Sequence, residues 1–188
     1  MDLKGKCKLK TKNKTRFLAL SAVIAALYAA ATYLAASMNL AYGAVQFRFS
    51  EALTVLPAFT PAAIPGLAVG CFLANLTSPL GVVDWVFGTL ATLLAAISTH
   101  MLRNIRVKGL PILAPLPPIL FNAVIVGFEV ACLSAEGTFE LSYATAGGFL
   151  AGFVSVGLGQ LAVCVLLGFP LMLAVQRAKL EESVFSKA

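Results

Sequence analysis

Residues 47–75 read FRFSEALTVLPAFTPAAIPGLAVGCFLAN. Arg48 and Glu51 stand at the mouth of a strongly apolar run, and Pro57, Pro61 and Pro65 interrupt that run at four-residue intervals. A soluble core has no need of the two charges, and an ordinary lipid-facing span excludes the prolines. A polar mouth, a short apolar helix, a proline-rich reversal and a second short helix ending in Asn75 suit a binding cavity inside a membrane. Broken helices and ionisable groups are tolerated there only where they face protein or a cavity.

The rest of the chain agrees. Of its 188 residues 60% are hydrophobic and 12% charged, against about 25% charged in soluble chains, and the mean hydropathy is +0.91. This is the composition of an integral membrane protein with one domain. The net charge of +6 does not point to nucleic acid, because seven lysines and arginines precede Phe17 and most others fall in two short polar segments. Loops facing the cytoplasm carry such charge. Residues 1–16 are read as a basic cytoplasmic tail, 17–177 as a single membrane domain and 178–188 as a second cytoplasmic tail. The apolar part of the N-terminal region continues to about residue 38, longer than the core of a signal peptide, and is read as an uncleaved first span. Cys7, Cys71, Cys132 and Cys164 have neither metal-ligand nor disulfide-framework spacing.

The apolar runs predict an all-α bundle of six transmembrane helices with both termini inside. The spans cover about 17–37, 51–59, 62–76, 83–102, a run ending near 132, and 143–175, which exceeds one span. The second and third are short, and six crossings need a locally thinned bundle. Arg103, Arg106 and Lys108 mark a cytoplasmic loop, and Arg177 and Lys179 return the chain to that side. Ala22, Ala26 and Ala30 line one face of the first helix. Small residues at this spacing permit close helix approach, either within the bundle or against a partner.

On this topology Gln46, Arg48, Glu51, Asn75, Asp84 and Glu129 fall at the outer ends of their spans, with Asn122 and Gln160 deeper. Asn122 and Glu129 lie two helical turns apart and share a face. Polar groups sent by separate spans to one depth suggest a cavity open outward. The plainer reading is a set of interhelical hydrogen bonds with one Arg48–Glu51 salt bridge. Asp84 also suits the positive end of a helix dipole, and Trp85 the membrane interface. His100, alone near the inner end, reads as structural. The sequence has no phosphate-binding Gly-x-x-x-x-Gly-Lys-[Ser/Thr] loop, no metal-ligand set and no catalytic constellation. No cofactor, metal or enzymatic activity of its own is therefore expected. What remains is a facilitator or ion-coupled carrier for a small solute, one part of a larger machine, or a ligand-free scaffold.

Four blocks carry a more specific signal: Gln46-Phe-Arg-Phe-Ser-Glu-Ala-Leu-Thr-Val-Leu-Pro, Thr60-Pro-Ala-Ala-Ile-Pro-Gly-Leu, Gly70-Cys-Phe-Leu-Ala-Asn-Leu-Thr-Ser-Pro and Gly88-Thr-Leu-Ala-Thr. Together they resemble the QueT transporter family, substrate-binding (S) components of energy-coupling factor (ECF) transporters. The resemblance runs from about residue 15 to 175. It implies a six-helix S component in a bacterial plasma membrane, part of an ABC-type importer. The implied ligand is a queuosine precursor, 7-aminomethyl-7-deazaguanine or queuine, and the implied partners are a transmembrane coupling protein and two cytoplasmic ATPases. It further implies that an Ala-x-x-x-Ala face on the first helix docks on the coupling protein. Ala22 with Ala26 fits, as does Ala25 with Ala29. The loop between the first two spans would cover the ligand. The chemistry of such a ligand matches the residue types: carboxylates accept paired N–H donors or an amine, amides and a guanidinium donate to a carbonyl, and flat rings stack on aromatics. Glu51, Asp84 and Glu129 supply the acids, Arg48, Asn75, Asn122 and Gln160 the donors, and Tyr42, Phe47 and Trp85 the rings.

Overall fold

The structure, a computed structural model, describes residues 3–41, 46–134 and 138–185, with only the backbone described for residues 3–12 and for Glu182. Six membrane elements follow one another. They are α1 (Leu3–Ser37), a 3₁₀ helix (Phe49–Ala58), α2 (Ala63–Asn75), α3 (Val82–Met101), α4 (Leu116–Ala131) and α5 (Ala146–Arg177), followed by a short α6 (Leu180–Ser183). The apolar stretches Asn13–Ser37, Val82–Asn104 and Ala146–Arg177 are each long enough to cross a bilayer. Leu27, Leu90, Leu158 and Leu166 face outward while Arg48, Glu51, Asp84 and Glu129 are buried. That arrangement suits lipid as the solvent.

The helix α1 runs unbroken from the basic segment through the apolar one and stops at Asn39, whose φ of 55° no continuing helix allows. The Leu40 and Asn39 amides close back on the carbonyls of Ala35 and Ala36 at 2.9 Å, a left-handed cap that satisfies the last orphan acceptors. Beyond it the Phe47 amide donates to the Leu40 carbonyl.

The 3₁₀ helix is the axis of the bundle. Eight of its ten residues, Ser50 to Ala52 and Thr54 to Ala58, are buried, because α1, α2, α3 and α5 pack around it. At about 2.0 Å per residue it spans roughly 20 Å, and the thirteen-residue α2 at 1.5 Å per residue about the same. Neither element alone matches a hydrocarbon core of about 30 Å. Arg48 nevertheless lies beside Asp84, and His100 Nδ1 is 2.7 Å from the Pro57 carbonyl oxygen. Those two contacts are sixteen residues apart on α3, about 24 Å at helical rise.

After the reversal at Thr60 to Ala62, α2 runs parallel to α1. Ser21 donates to the Ala62 carbonyl at 2.8 Å near one end, and Tyr33 to the Leu73 carbonyl at 2.9 Å near the other. Gly66 and Gly70 make this approach possible. A Cβ on Gly66 would sit 2.7 Å from the Ser21 carbonyl oxygen, and one on Gly70 2.8 Å from that of Ala25. The inward face of α1 is thus Ser21, Ala25 and Tyr28, and Ala22, Ala26 and Ala30 are exposed. Of the two candidate small-residue registers, the one through Ala25 is occupied inside the bundle and the one through Ala22 and Ala26 is open.

Both α4 and α5 contain a wide turn of π type, at Asn122–Val126 and Cys164–Gly168. Pro170 explains the second: it has no amide to donate and its ring crowds the preceding turn, so the helix widens just before it. At the end of the bundle that carries the basic loop, Arg106 pairs with both Glu181 oxygens at 2.8 and 2.6 Å and lies over the Phe59 ring. Gln176 donates to the Lys108 carbonyl there. The end of α5 and residues 103–108 therefore share one end of the bundle, as the charge pattern requires.

Candidate functional site: two polar centres around a 3₁₀ helix

Seven of the nine residues read as ligand-binding from the sequence are fully or nearly fully buried: Arg48, Glu51, Asn75, Asp84, Asn122, Glu129 and Gln160. Six of them form two centres. In the first, Arg48 donates from Nη2 to Asp84 Oδ2 at 3.2 Å, from Nη1 to Asn75 Oδ1 at 3.2 Å and from Nε to the Ala41 carbonyl at 3.0 Å. Asn75 completes the ring, donating from Nδ2 to the Asp84 carbonyl at 2.9 Å. Gly88 makes room for it, since a Cβ there would lie 2.6 Å from Asn75 Nδ2 and 2.8 Å from Asp84 Oδ1.

The second centre is the carboxylate of Glu51. Tyr28 donates its hydroxyl to Oε1. Gln160 donates to Oε2 at 2.9 Å, and Asn122 to the same oxygen at 3.4 Å. Thr32 on α1 donates to Ser50 at 2.7 Å beside it. Asn122 opens the π turn of α4, and Gln160 precedes that of α5 by one helical turn. Wide turns of this kind re-aim side chains and recur at functional sites.

The expected Arg48–Glu51 salt bridge is replaced. Arg48 is not in the 3₁₀ helix but precedes it in an extended conformation, φ −86° and ψ 107°. Its side chain is thereby directed to α2 and α3 instead of along the helix axis. Glu51, inside the helix, turns to α1, α4 and α5. Asp84 does sit in the first turn of α3, yet its carboxylate serves Arg48.

Glu129 belongs to neither centre. It is completely buried, and both carboxyl oxygens lack a hydrogen-bond partner among the described residues. Trp85 is half-buried with its ring edge-on to Phe72, 6.3 Å between centroids, and its Nε1 is also without a partner. Gln46 is half-buried, and its backbone is pressed against Gly159 of α5. Tyr42, expected over the site, lies outside the described residues. A cleft of about 360 Å³ lies between the last turn of α4 and the first turns of α5, lined by Val130, Ala131, Tyr143, Gly152 and Ser155 among others.

The sequence reading missed Tyr28. Its signal was present: it follows Ser21 and Ala25 by helical steps on what proves to be the inward face of α1. Chemically the two centres offer fixed carboxylates, amides and a guanidinium in a buried interior. That suits recognition of a polar, planar solute by hydrogen bonds, and none of these groups is arranged as a nucleophile with its base.

Comparison with known proteins places this geometry. No solved structure matches the chain. Among curated proteins, the queuosine precursor transporter QueT of Lactococcus lactis subsp. cremoris (strain MG1363) is 35% identical over 82 residues, 44% of this chain and 48% of that protein. The chain thus matches about half the length of that relative. The sequence model of the QueT transporter matches residues 18–177, which takes in α1 from residue 18, the five membrane elements after it and every residue of both polar centres. On that match, the chain belongs to the QueT transporter family.

Proposed function

We propose that the chain is the membrane-embedded substrate-binding component of an ECF-type importer, and that it captures a queuosine precursor of the 7-deazaguanine type outside a bacterial cell. Family membership and the curated relative support the transport of such a precursor. One observation carries the reading at the level of residues. Five separate elements, with the extended residue before the 3₁₀ helix, bring Arg48, Glu51, Asn75, Asp84, Asn122, Glu129 and Gln160 into a buried interior, and Glu129 is left without a donor among the described residues. A bundle held together by hydrogen bonds alone would gain from pairing or omitting that acid, since burying an unpartnered carboxyl is costly. A ligand that brings a positively charged donor to it removes the cost.

In this reading the polar centres hold the deazaguanine, and Gln46, Trp85 and the chain before Arg48 enclose it. The chain hydrolyses no ATP itself, and the work is done by two cytoplasmic ATPases through a transmembrane coupling protein. The open Ala22 and Ala26 face of α1 is the surface offered to that protein. Both termini lie in the cytoplasm, with the basic residues of 103–108.

Uptake of a labelled 7-deazaguanine tests the proposal. Cells expressing the chain with a coupling protein and its ATPases should accumulate the label, and the subunits should copurify. Full-rate uptake by the chain in membranes without any ATPase partner would make it an autonomous facilitator or ion-coupled carrier instead.

A further inference from the structure

We propose that Glu129 selects for positive charge on the ligand, so that a precursor carrying an amine binds in preference to a neutral one with the same ring. This rests on the reading of the interior as a deazaguanine site.

The charge balance of the interior is the starting point. Among the described residues the buried charged side chains are Arg48, Glu51, Asp84 and Glu129, three acids to one base. The single base is committed to Asp84. Glu51 has no cation but takes three neutral donors, from Tyr28, Asn122 and Gln160, which reach both its oxygens. Glu129 has neither a cation nor a neutral donor. Of the two acids in excess, Glu51 is met by neutral donors and Glu129 by nothing among the described residues, so the shortfall lies at Glu129.

A neutral N–H edge is a poor match for that shortfall. The Glu51 centre has the form the bundle uses for neutral donors: several of them, from three helices, around one carboxylate. Glu129 instead is fully buried with neither carboxyl oxygen met by a donor among the described residues. A buried carboxylate is stabilised more by an ammonium than by an uncharged donor, because the added charge attracts it as well as donating to it. An aminomethyl substituent on the ring supplies such a group at neutral pH. A cyano substituent at the same position supplies an acceptor and no charge.

The test uses the purified full-length chain in detergent or nanodiscs, titrated with 7-aminomethyl-7-deazaguanine and with 7-cyano-7-deazaguanine. Wild type should prefer the amine by about tenfold or more, the scale of one charge-assisted hydrogen bond. Glu129→Gln, nearly isosteric, should weaken the amine about 10- to 100-fold and leave the cyano compound within about threefold. Glu129→Asp, which keeps the charge, should retain a preference for the amine. Equal binding of both ligands by wild type would overturn the inference, as would an equal loss of both in Glu129→Gln. If wild type binds neither ring, the deazaguanine reading itself falls and takes this inference with it.

Discussion

Arg48 and Asp84, thirty-six residues apart in sequence, form a buried salt bridge at 3.2 Å, and Glu51 takes a separate set of neutral donors. Breaking a buried pair from one side leaves the other charge stranded, at about 3–5 kcal/mol. Asp84→Asn should therefore lower the melting temperature of the ligand-free protein sharply. The Arg48→Met, Asp84→Leu double variant should recover much of that loss. A double-mutant cycle by thermal denaturation in detergent checks this, and additive losses would mean that the pair is not coupled.

Glu51→Gln changes a carboxylate that accepts three hydrogen bonds into an amide. With its NH2 toward Asn122 and Gln160 that amide sets donor against donor; with its NH2 toward Tyr28 the buried hydroxyl must accept, and its own proton loses its partner. An unsatisfied buried group costs about 1–3 kcal/mol, so the variant should melt lower without ligand. Tyr28→Phe should show a smaller drop of the same sign, since the two amides remain.

Glu129 should behave in the opposite way. Glu129→Met removes a buried carboxyl that has no partner and replaces it with a flexible apolar chain. The ligand-free protein should then melt at a higher temperature, by several degrees on the scale of about 1–3 kcal/mol, while binding of the amine-bearing ligand is lost. A lower melting temperature would mean that Glu129 contributes to the ligand-free fold.

The two alanine registers of α1 make a further pair. Ala25→Phe strikes the backbone contact with Gly70, where no Cβ fits, and should destabilise the bundle. Gly70→Ala should do the same on a smaller scale, about 1–3 kcal/mol for overpacking. Ala22→Phe and Ala26→Phe point outward and should leave melting and ligand binding unchanged but abolish uptake in cells. Normal uptake in both would remove the docking role of this face.

These contrasts also mark what the sequence made legible. Composition, charge bias and the proline spacing of 47–75 were enough for an all-helical membrane bundle with six elements, because lipid leaves the backbone few alternatives. The polar residues of the interior were legible one by one for the same reason: Asn75, Asp84, Asn122 and Gln160 stand out in apolar runs. Their pairing was not. Arg48 and Glu51 are three residues apart and invited a local bridge, but the partner was decided by backbone direction, extended at Arg48 and helical at Glu51. Tyr28 was hidden because an aromatic in an apolar helix announces packing before it announces a hydroxyl. The π turns that aim Asn122 and Gln160 depend on tertiary fit and leave no simple mark in composition.

The central claim is that this chain alone recognises a deazaguanine. The most direct measurement is a thermal-shift titration of the purified protein, without ATP or partners, against 7-aminomethyl-7-deazaguanine, thiamine, riboflavin and biotin. At one hundred times Kd a ligand that binds only the folded state adds about 2.7 kcal/mol of stability. The account expects a shift of several degrees with the deazaguanine and none with the three vitamins. A vitamin that stabilises the protein as well as or better than the deazaguanine would contradict it.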